Sequence, residues 1–266
     1  MDYLEPVIEE RLRMQEQYGK DWPGKPNDFI QWCMDSESNA PLSQRTSVED
    51  LCIRVFTVNF GAIHTTSAFT FALFHLAVHP ELAEPLRKEV EAVIAKEGWT
   101  KVGMVQMRLL DSFLKESERL TLTGALGLSR KVMKDFTFSN GTTVPVGTIL
   151  SAANWAMHRD DGIYPDSLDF KPWRFSYMRH QEGESIKHQF VTPTLEWMLF
   201  GQGKHACPGR FFAAAELKSL VAHILLNYDI KFANDSRELP PLTKFLEHTS
   251  ADWNAEAWAL SFVISY

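Results

Sequence analysis

The feature that most constrains the fold is a long apolar stretch from Leu51 to Val78. A helix that is apolar on all sides is either buried in the core of a large domain or spans a membrane. Its polar residues, among them Arg54, Asn59 and His75, would be costly in hydrocarbon. We therefore interpret it as the long central helix of a folded domain, over about 48–78, and predict no membrane span in this chain.

The remaining periodicity predicts further helices and few strands. Apolar residues at helical spacing predict helices over about 105–121 and 209–227. Between them the pattern alternates over about 129–152 and turns at Asn140-Gly141, which is typical of a small antiparallel sheet. The expected fold class is mainly α with a small antiparallel β-sheet, arranged as a single domain over residues 1–266.

Composition excludes several classes of protein. The chain has 266 residues, of which 45% are hydrophobic, and a net charge of −7. No basic run suggests a phosphate-binding surface, so we expect no nucleic-acid partner. Its cysteines, Cys33, Cys52 and Cys207, form no C-x-x-C pair and cannot build a disulfide framework or a four-sulfur zinc site. An acidic, amphipathic N-terminus is neither a signal peptide nor a membrane span.

Cys207 lies in a loop of conformationally special residues, FGQGKHACPGRF over 200–211, just before a predicted helix. Gly201 and Gly203 allow backbone angles closed to other residues, and Gly209 allows a flat partner to approach closely. A helix N-terminus stabilises a thiolate through its partial positive charge. The loop suits an inert thiol, a nucleophile, or the single protein ligand of a metal that brings its other ligands, as haem does.

Read as F-x-x-G-x-H-x-C-x-G, the loop resembles the haem-binding signature of the cytochrome P-450 family. Phe200, Gly203, His205, Cys207 and Gly209 match the signature position for position. The resemblance implies that Cys207 is the axial ligand of the iron in haem b, which is iron-protoporphyrin IX. It also implies that His205 donates to a haem propionate. Zinc is a weaker interpretation, because one His and one Cys leave two tetrahedral positions unfilled.

Two further segments are similar to the same family. Glu116-Ser117-Glu118-Arg119 resembles its E-x-x-R signature, in which Glu116 and Arg119 lie on one helical face and can form an ion pair. Lys171-Pro172-Trp173-Arg174-Phe175 resembles the stretch whose arginine, here Arg174, completes that pair into a triad. The resemblance implies that these residues support the haem-binding loop with a fixed geometry.

GAIHTT, residues 61–66, resembles the oxygen-activation segment of the family and implies catalytic roles for Thr65 and His64. Thr65 stands where the family has a hydroxyl that hydrogen-bonds dioxygen. His64 replaces the usual acidic residue, as in many fungal members, which implies a proton relay through His64 and water. A mid-helix threonine that bonds back to its own carbonyls is the alternative.

The resemblance implies a cytochrome P-450 fold, of which this chain is the C-terminal portion. It implies a monooxygenase of fungal secondary metabolism. Such an enzyme inserts one oxygen atom from dioxygen into a small hydrophobic substrate, here expected to be terpenoid-like. An NADPH-dependent reductase would supply electrons, since the chain has no flavin or nicotinamide fingerprint. Full-length members lie at the endoplasmic reticulum membrane facing the cytosol; without an anchor, this chain would be cytoplasmic or peripheral. The alternative is a truncated, non-catalytic remnant with weak or no haem binding.

Overall fold

The computed structural model describes residues 2–37, 47–122, 124–245, 248–250 and 257–261. The chain divides into two compact units, Met1–Ile63 and His64–Tyr266, and each is described by itself. The expected class, mainly α with small antiparallel sheets, is confirmed. The prediction of one domain over residues 1–266 stays a prediction.

The first unit contains helices α1 (Glu5–Tyr18), α2 (Phe29–Glu37) and α3 (Val48–Ala62). Ser47 caps α3, because its side chain accepts a hydrogen bond from the Asp50 backbone N–H at 3.1 Å. The helices enclose a small apolar cluster built on Ile8, Met34, Leu51 and Cys52.

The helix predicted over 48–78 is present as α3 and α4 (His64–Val78), which are separated at Ile63. By length and composition alone, the stretch Val48–Val78 is long and apolar enough to cross a membrane. The expected burial is confirmed for α4, in which most residues from Ala68 onward are buried or half-buried. It is wrong for much of α3, where several apolar side chains are exposed: Ile53, Phe56, Val58 and Phe60.

The second unit holds the remaining helices. They are α4, α5 (Ala83–Glu97), α6 (Lys101–Gln106), α7 (Arg108–Thr121), α8 (Asn154–Met157), α9 (Arg174–Arg179) and α10 (Arg210–Asn227). The helices predicted over 105–121 and 209–227 thus correspond to α7 and α10. Glu89 of α5 fixes the start of α7, because its carboxylate accepts the backbone N–H groups of Leu109 and Leu110 at 2.8 and 2.9 Å.

The strands form antiparallel pairs. They are β1 (Gly127–Lys131), β2 (Phe136–Thr137), β3 (Thr143–Val144), β4 (Ile149–Ala152), β5 (Tyr228–Phe232), β6 (Thr243–Phe245), β7 (His248–Ser250) and β8 (Ala257–Ser261). The small sheet expected over 129–152 is present as two of these pairs, β1 with β4 and β2 with β3. Two further pairs, β5 with β8 and β6 with β7, were not predicted.

The core of the second unit joins α4, α7 and α10. Each buried aliphatic or aromatic side chain there contributes roughly 1.5–3 kcal/mol relative to an exposed one. Helix α7 is the most enclosed, since every residue from Leu110 to Arg119 is buried. The charged side chains of α7 must therefore find partners inside the protein. Core residues include Ala68, Ala72 and Leu76 of α4, Leu110, Phe113 and Leu114 of α7, and Ala214, Leu217 and Val221 of α10.

Candidate functional site

The cysteine loop places an exposed thiol immediately before α10. The Cys207 N–H donates to Phe200 O at 2.7 Å, which closes the loop. The Cys207 carbonyl accepts a hydrogen bond from Arg210 Nη1 at 2.8 Å, at the first residue of the helix. The backbone on both sides of the cysteine is therefore bonded, while its side chain remains open to a ligand.

Two glycines of the loop adopt the left-handed conformation that other residues rarely adopt. Gly201 has a φ of +71° and Gly203 a φ of +63°. Gly209 serves another purpose, because its φ of −79° suits any residue. A Cβ atom built on Gly209 would lie 3.8 Å from Cys207 Sγ, so the glycine leaves the space beside the sulfur clear.

The ion pairs expected around Glu116 are present. Arg119 donates to both carboxylate oxygens of Glu116, each at 2.9 Å, and both side chains are fully buried. Arg174 Nε lies 3.1 and 3.2 Å from the same two oxygens. The Lys171 N–H also donates to Glu116 at 2.9 Å. A carboxylate so completely bonded orders both α7 and the start of α9.

Arg119 and Arg174 also bind the loop between α8 and α9 through its carbonyl oxygens. Arg119 donates to the carbonyls of His158, Ser167 and Asp169. Arg174 donates to the Pro165 carbonyl at 2.7 Å and to the Asp166 and Asp169 carbonyls. The two arginines of the triad therefore satisfy carbonyl groups of the irregular segment between α8 and α9, which lacks the hydrogen bonds of a helix or sheet.

The oxygen-activation residues proposed from sequence lie on another element. His64 is exposed and Thr65 half-buried in the first turn of α4. Further along, Ala68 shares a core cluster with Ala214 of α10, the helix that follows the cysteine loop. The structure thus brings together the cysteine-loop residues, and separately the Glu116 triad. Thr65 and His64 form a third group on a helix that packs against α10.

A surface cavity of about 380 Å³ lies beside the start of α10. Its lining includes Trp99, Met104, Phe211 and Phe212, and neither Cys207 nor Thr65 belongs to it. Phe211 and Phe212 are more than half exposed. This cavity is therefore distinct from the space beside the Cys207 sulfur.

Sequence reasoning missed several buried charges around α7. Lys115 Nζ is enclosed by the rings of Phe175 and Trp197, at 4.4 and 4.8 Å from their centroids. Burial lowers the pKa of Lys115 to about 7. Burial also raises the pKa of the Glu118 carboxyl to about 7. Their positions were the signal that could have revealed them, since Lys115 directly precedes the E-x-x-R motif and Glu118 lies inside it.

Two buried histidines have strongly lowered pKa values. Burial, with the nearby Arg119 charge, lowers the pKa of His158 to about 3, and its ring stacks on Trp197. Burial and the charge of His79 lower the pKa of His75 to about 3, and its ring stacks on Phe170 at 4.1 Å. Both are neutral aromatic core residues at physiological pH.

The donor set of the loop fits a haem better than a bare metal ion. Cys207 offers one exposed sulfur, and no side chain stands beside it at Gly209. Within the part of the chain that the structure describes, no group of three or more His, Cys, Asp or Glu could hold a metal ion. A porphyrin supplies four of the iron's ligands itself, so a single thiolate suffices as the protein's axial ligand.

Comparison with known proteins identifies the family. The family model described as Cytochrome P450 matches residues 1–252. Cytochrome P450 monooxygenase 151 of Postia placenta is 47% identical over 237 residues, 88% of this chain and 47% of the relative. Cytochrome P450 monooxygenase CYP512U6 of Ganoderma lucidum is 39% identical over 238 residues, 89% and 46% respectively. Cytochrome P450 monooxygenase atmQ of Aspergillus flavus is 37% identical over 241 residues, 90% and 45%.

The chain therefore belongs to the cytochrome P450 family, whose members are haem-iron oxidoreductases. Its similar relatives are fungal proteins named as monooxygenases. The chain spans about half the length of the curated relatives it matches.

Proposed function

We propose that this chain is the haem-thiolate portion of a fungal monooxygenase, in which Cys207 would be the protein ligand of the iron in haem b. The observation that carries the proposal is the exposed Cys207 thiol in a loop whose backbone is already bonded on both sides. A pre-formed loop needs little reorganisation when it binds a ligand.

The other site residues would orient the reactants. When bound, the haem would supply the activation of dioxygen, from which one oxygen atom enters a C–H bond while the other leaves as water with two electrons from the reductase and two protons. Cys207 would hold the iron, and His205, exposed in the same loop, would donate a hydrogen bond to a propionate. The Thr65 hydroxyl would hydrogen-bond dioxygen and steer protons to it, and the exposed His64 would relay those protons through water. The Glu116 triad keeps the surroundings of the loop in place.

The proposal extends to a substrate class and to partners. We propose a small hydrophobic substrate of terpenoid type in secondary metabolism, with dioxygen as co-substrate. We propose an NADPH-dependent reductase as the electron donor. We place the site on the cytosolic side of the endoplasmic reticulum or in the cytoplasm. The names of the fungal relatives support the monooxygenase class.

The second candidate function is a non-catalytic remnant with weak or no haem binding. It is favoured by the position of Cys207 at the surface, outside the lining of the cavity beside α10. A thiolate that stays accessible to water loses part of its advantage as an iron ligand, since the surroundings of a metal control solvent access.

A carbon monoxide difference spectrum separates the two candidates. The chain is expressed with haem supplied, reduced under carbon monoxide, and its Soret band recorded. The proposal predicts a thiolate-type band that is lost in Cys207→Ala and kept in the control Cys33→Ala. The remnant is supported if wild type gives no thiolate-type band, or if Cys207→Ala retains it.

A further inference from the structure

Asp111 of α7 is a buried carboxylate whose two oxygens hold different parts of the chain. The residue is 3% exposed. Its Oδ1 lies 2.6 Å from Lys218 Nζ. Its Oδ2 accepts the Phe190 backbone N–H at 3.0 Å and lies 3.3 Å from Arg179 Nη1. Asp111 is outside the E-x-x-R motif, and the function described above assigns it no role.

The first oxygen of Asp111 fixes the helix that follows the cysteine. Lys218 belongs to α10, is 5% exposed, and also donates to the Met104 carbonyl at 3.0 Å. A buried ammonium group is strongly destabilising unless it is paired and hydrogen-bonded. The pairing therefore holds α10 in one position against α7.

The second oxygen of Asp111 fixes the chain that enters the cysteine loop. Phe190, whose N–H it accepts, is 1% exposed, and its ring meets that of Phe200 edge to face at 5.3 Å. The Phe200 carbonyl in turn accepts the Cys207 N–H at 2.7 Å. A short series of contacts thus runs from Asp111 to the backbone of Cys207.

We propose that Asp111 is the positioning residue of Cys207. It fixes both the segment that enters the cysteine loop, through Phe190 and Phe200, and the helix that leaves it, through Lys218. The sulfur is thereby held in one place, although its side chain is exposed. The consequence for haem ligation rests on the proposed function, whereas the consequence for the loop backbone does not.

Charge is as important as geometry at this position. Arg179 and Lys218 face Asp111 directly, and Lys115, one turn further along α7, interacts with its charge. An amide in place of the carboxylate keeps the shape but leaves these cations without their counter-charge. We therefore expect Asp111→Asn to weaken both the hydrogen bond from the Phe190 N–H and the ion pair with Lys218. Lys218→Met removes only the ion pair with α10.

Hydrogen exchange of the haem-free chain tests the backbone part. In Asp111→Asn we expect amides over 190–209 to exchange faster, on the order of tenfold at the Cys207 N–H. Lys218→Met should accelerate exchange in the first turns of α10 and leave Phe190 protected. The control Glu84→Gln, which removes an exposed carboxylate of α5, should change neither segment.

Spectra of the haem-loaded protein test the ligand part. Among molecules that bind haem, Asp111→Asn should lower the thiolate-type fraction several-fold, while Glu84→Gln leaves it unchanged. A general loss of stability would lower the amount of haem bound but not that fraction.

Unchanged exchange at Cys207 in a folded Asp111→Asn variant overturns the inference. Should that variant not fold, equal exchange of α10 in Lys218→Met and wild type does so. If wild type gives no thiolate-type band, the proposed function fails, and the exchange data still decide the role of Asp111.

Discussion

The Glu116 triad and the cysteine loop are opposites in their physical character. Glu116 and Arg119 are completely buried, and their charged groups are bonded on all sides. Cys207 is exposed, and its loop is closed by one short backbone hydrogen bond to Phe200. The proposed chemistry lies in the exposed loop, while the triad joins α7 to α9 and to the chain between α8 and α9.

This difference shows how the second unit combines order with access. A ligand site must present its reactive atom outward, so it cannot be rigid through burial of that atom. The buried charges of Arg119 and Asp111 on α7 provide the order instead, because several of their partners lie on irregular chain. Buried ion pairs contribute little to net stability, but removing one partner of such a pair is strongly destabilising.

The largest effect expected from this comparison is the loss of the Glu116 charge. Glu116→Gln leaves the guanidinium groups of Arg119 and Arg174 buried without a counter-charge, which should lower the free energy of unfolding by about 3–5 kcal/mol. Urea unfolding followed by circular dichroism measures it. The control Glu84→Gln removes the carboxylate of an exposed pair and should cause no measurable loss. Equal effects of the two variants would contradict the contrast between buried and exposed charge.

The next largest effect expected is a pH dependence of the free energy of unfolding, caused by Glu118 of the buried helix α7. Burial raises the pKa of Glu118 to about 7, so the native state binds a proton that the unfolded chain releases from about pH 4.5 upward. Its contribution to stability is therefore full below pH 4.5 and is lost as pH rises through 7, by about 3 kcal/mol.

This pH dependence should disappear in Glu118→Gln. Urea unfolding at pH 4.5 and pH 7 measures the difference, and the variant should lose about 3 kcal/mol less than wild type over that interval. The exposed residue Glu182 supplies the control, Glu182→Gln, which should behave as wild type. An equal change in the free energy of unfolding between pH 4.5 and pH 7 in Glu118→Gln and wild type would contradict the raised pKa of this carboxyl.

The smallest effect expected lies in the cysteine loop. Gly203→Ala forces a side chain into the left-handed conformation, which costs roughly 1–2 kcal/mol. In the matched variant Gly209→Ala the backbone angle is allowed, so stability of the haem-free chain should hold. The added methyl group, 3.8 Å from Cys207 Sγ, should instead weaken haem binding. Thermal unfolding and haem titration of both variants measure the two effects, and their reversal would refute the assigned roles of the glycines.

Much of the fold was predictable because its signals are local. The spacing of Glu116 and Arg119 on one helical face predicts their ion pair, and the alternation around Asn140-Gly141 predicts the small sheet. The pairing of β5 with β8 was not predicted, since it joins segments far apart in sequence. The exposure of Phe56 and Phe60 was also missed, because an apolar pattern alone does not show which face of a helix will be covered.

The sequence by itself was enough to indicate the family, the position of the cysteine loop and the choice of Cys207 as the proposed iron ligand. These depend on residue types at fixed short spacings, and such spacings impose backbone angles and helix faces directly. Only the tertiary structure decided that Asp111 lies between Lys218, Arg179 and Phe190. Contacts of that kind join distant parts of the chain, so they arise from the packing of whole helices and leave no local pattern in the sequence.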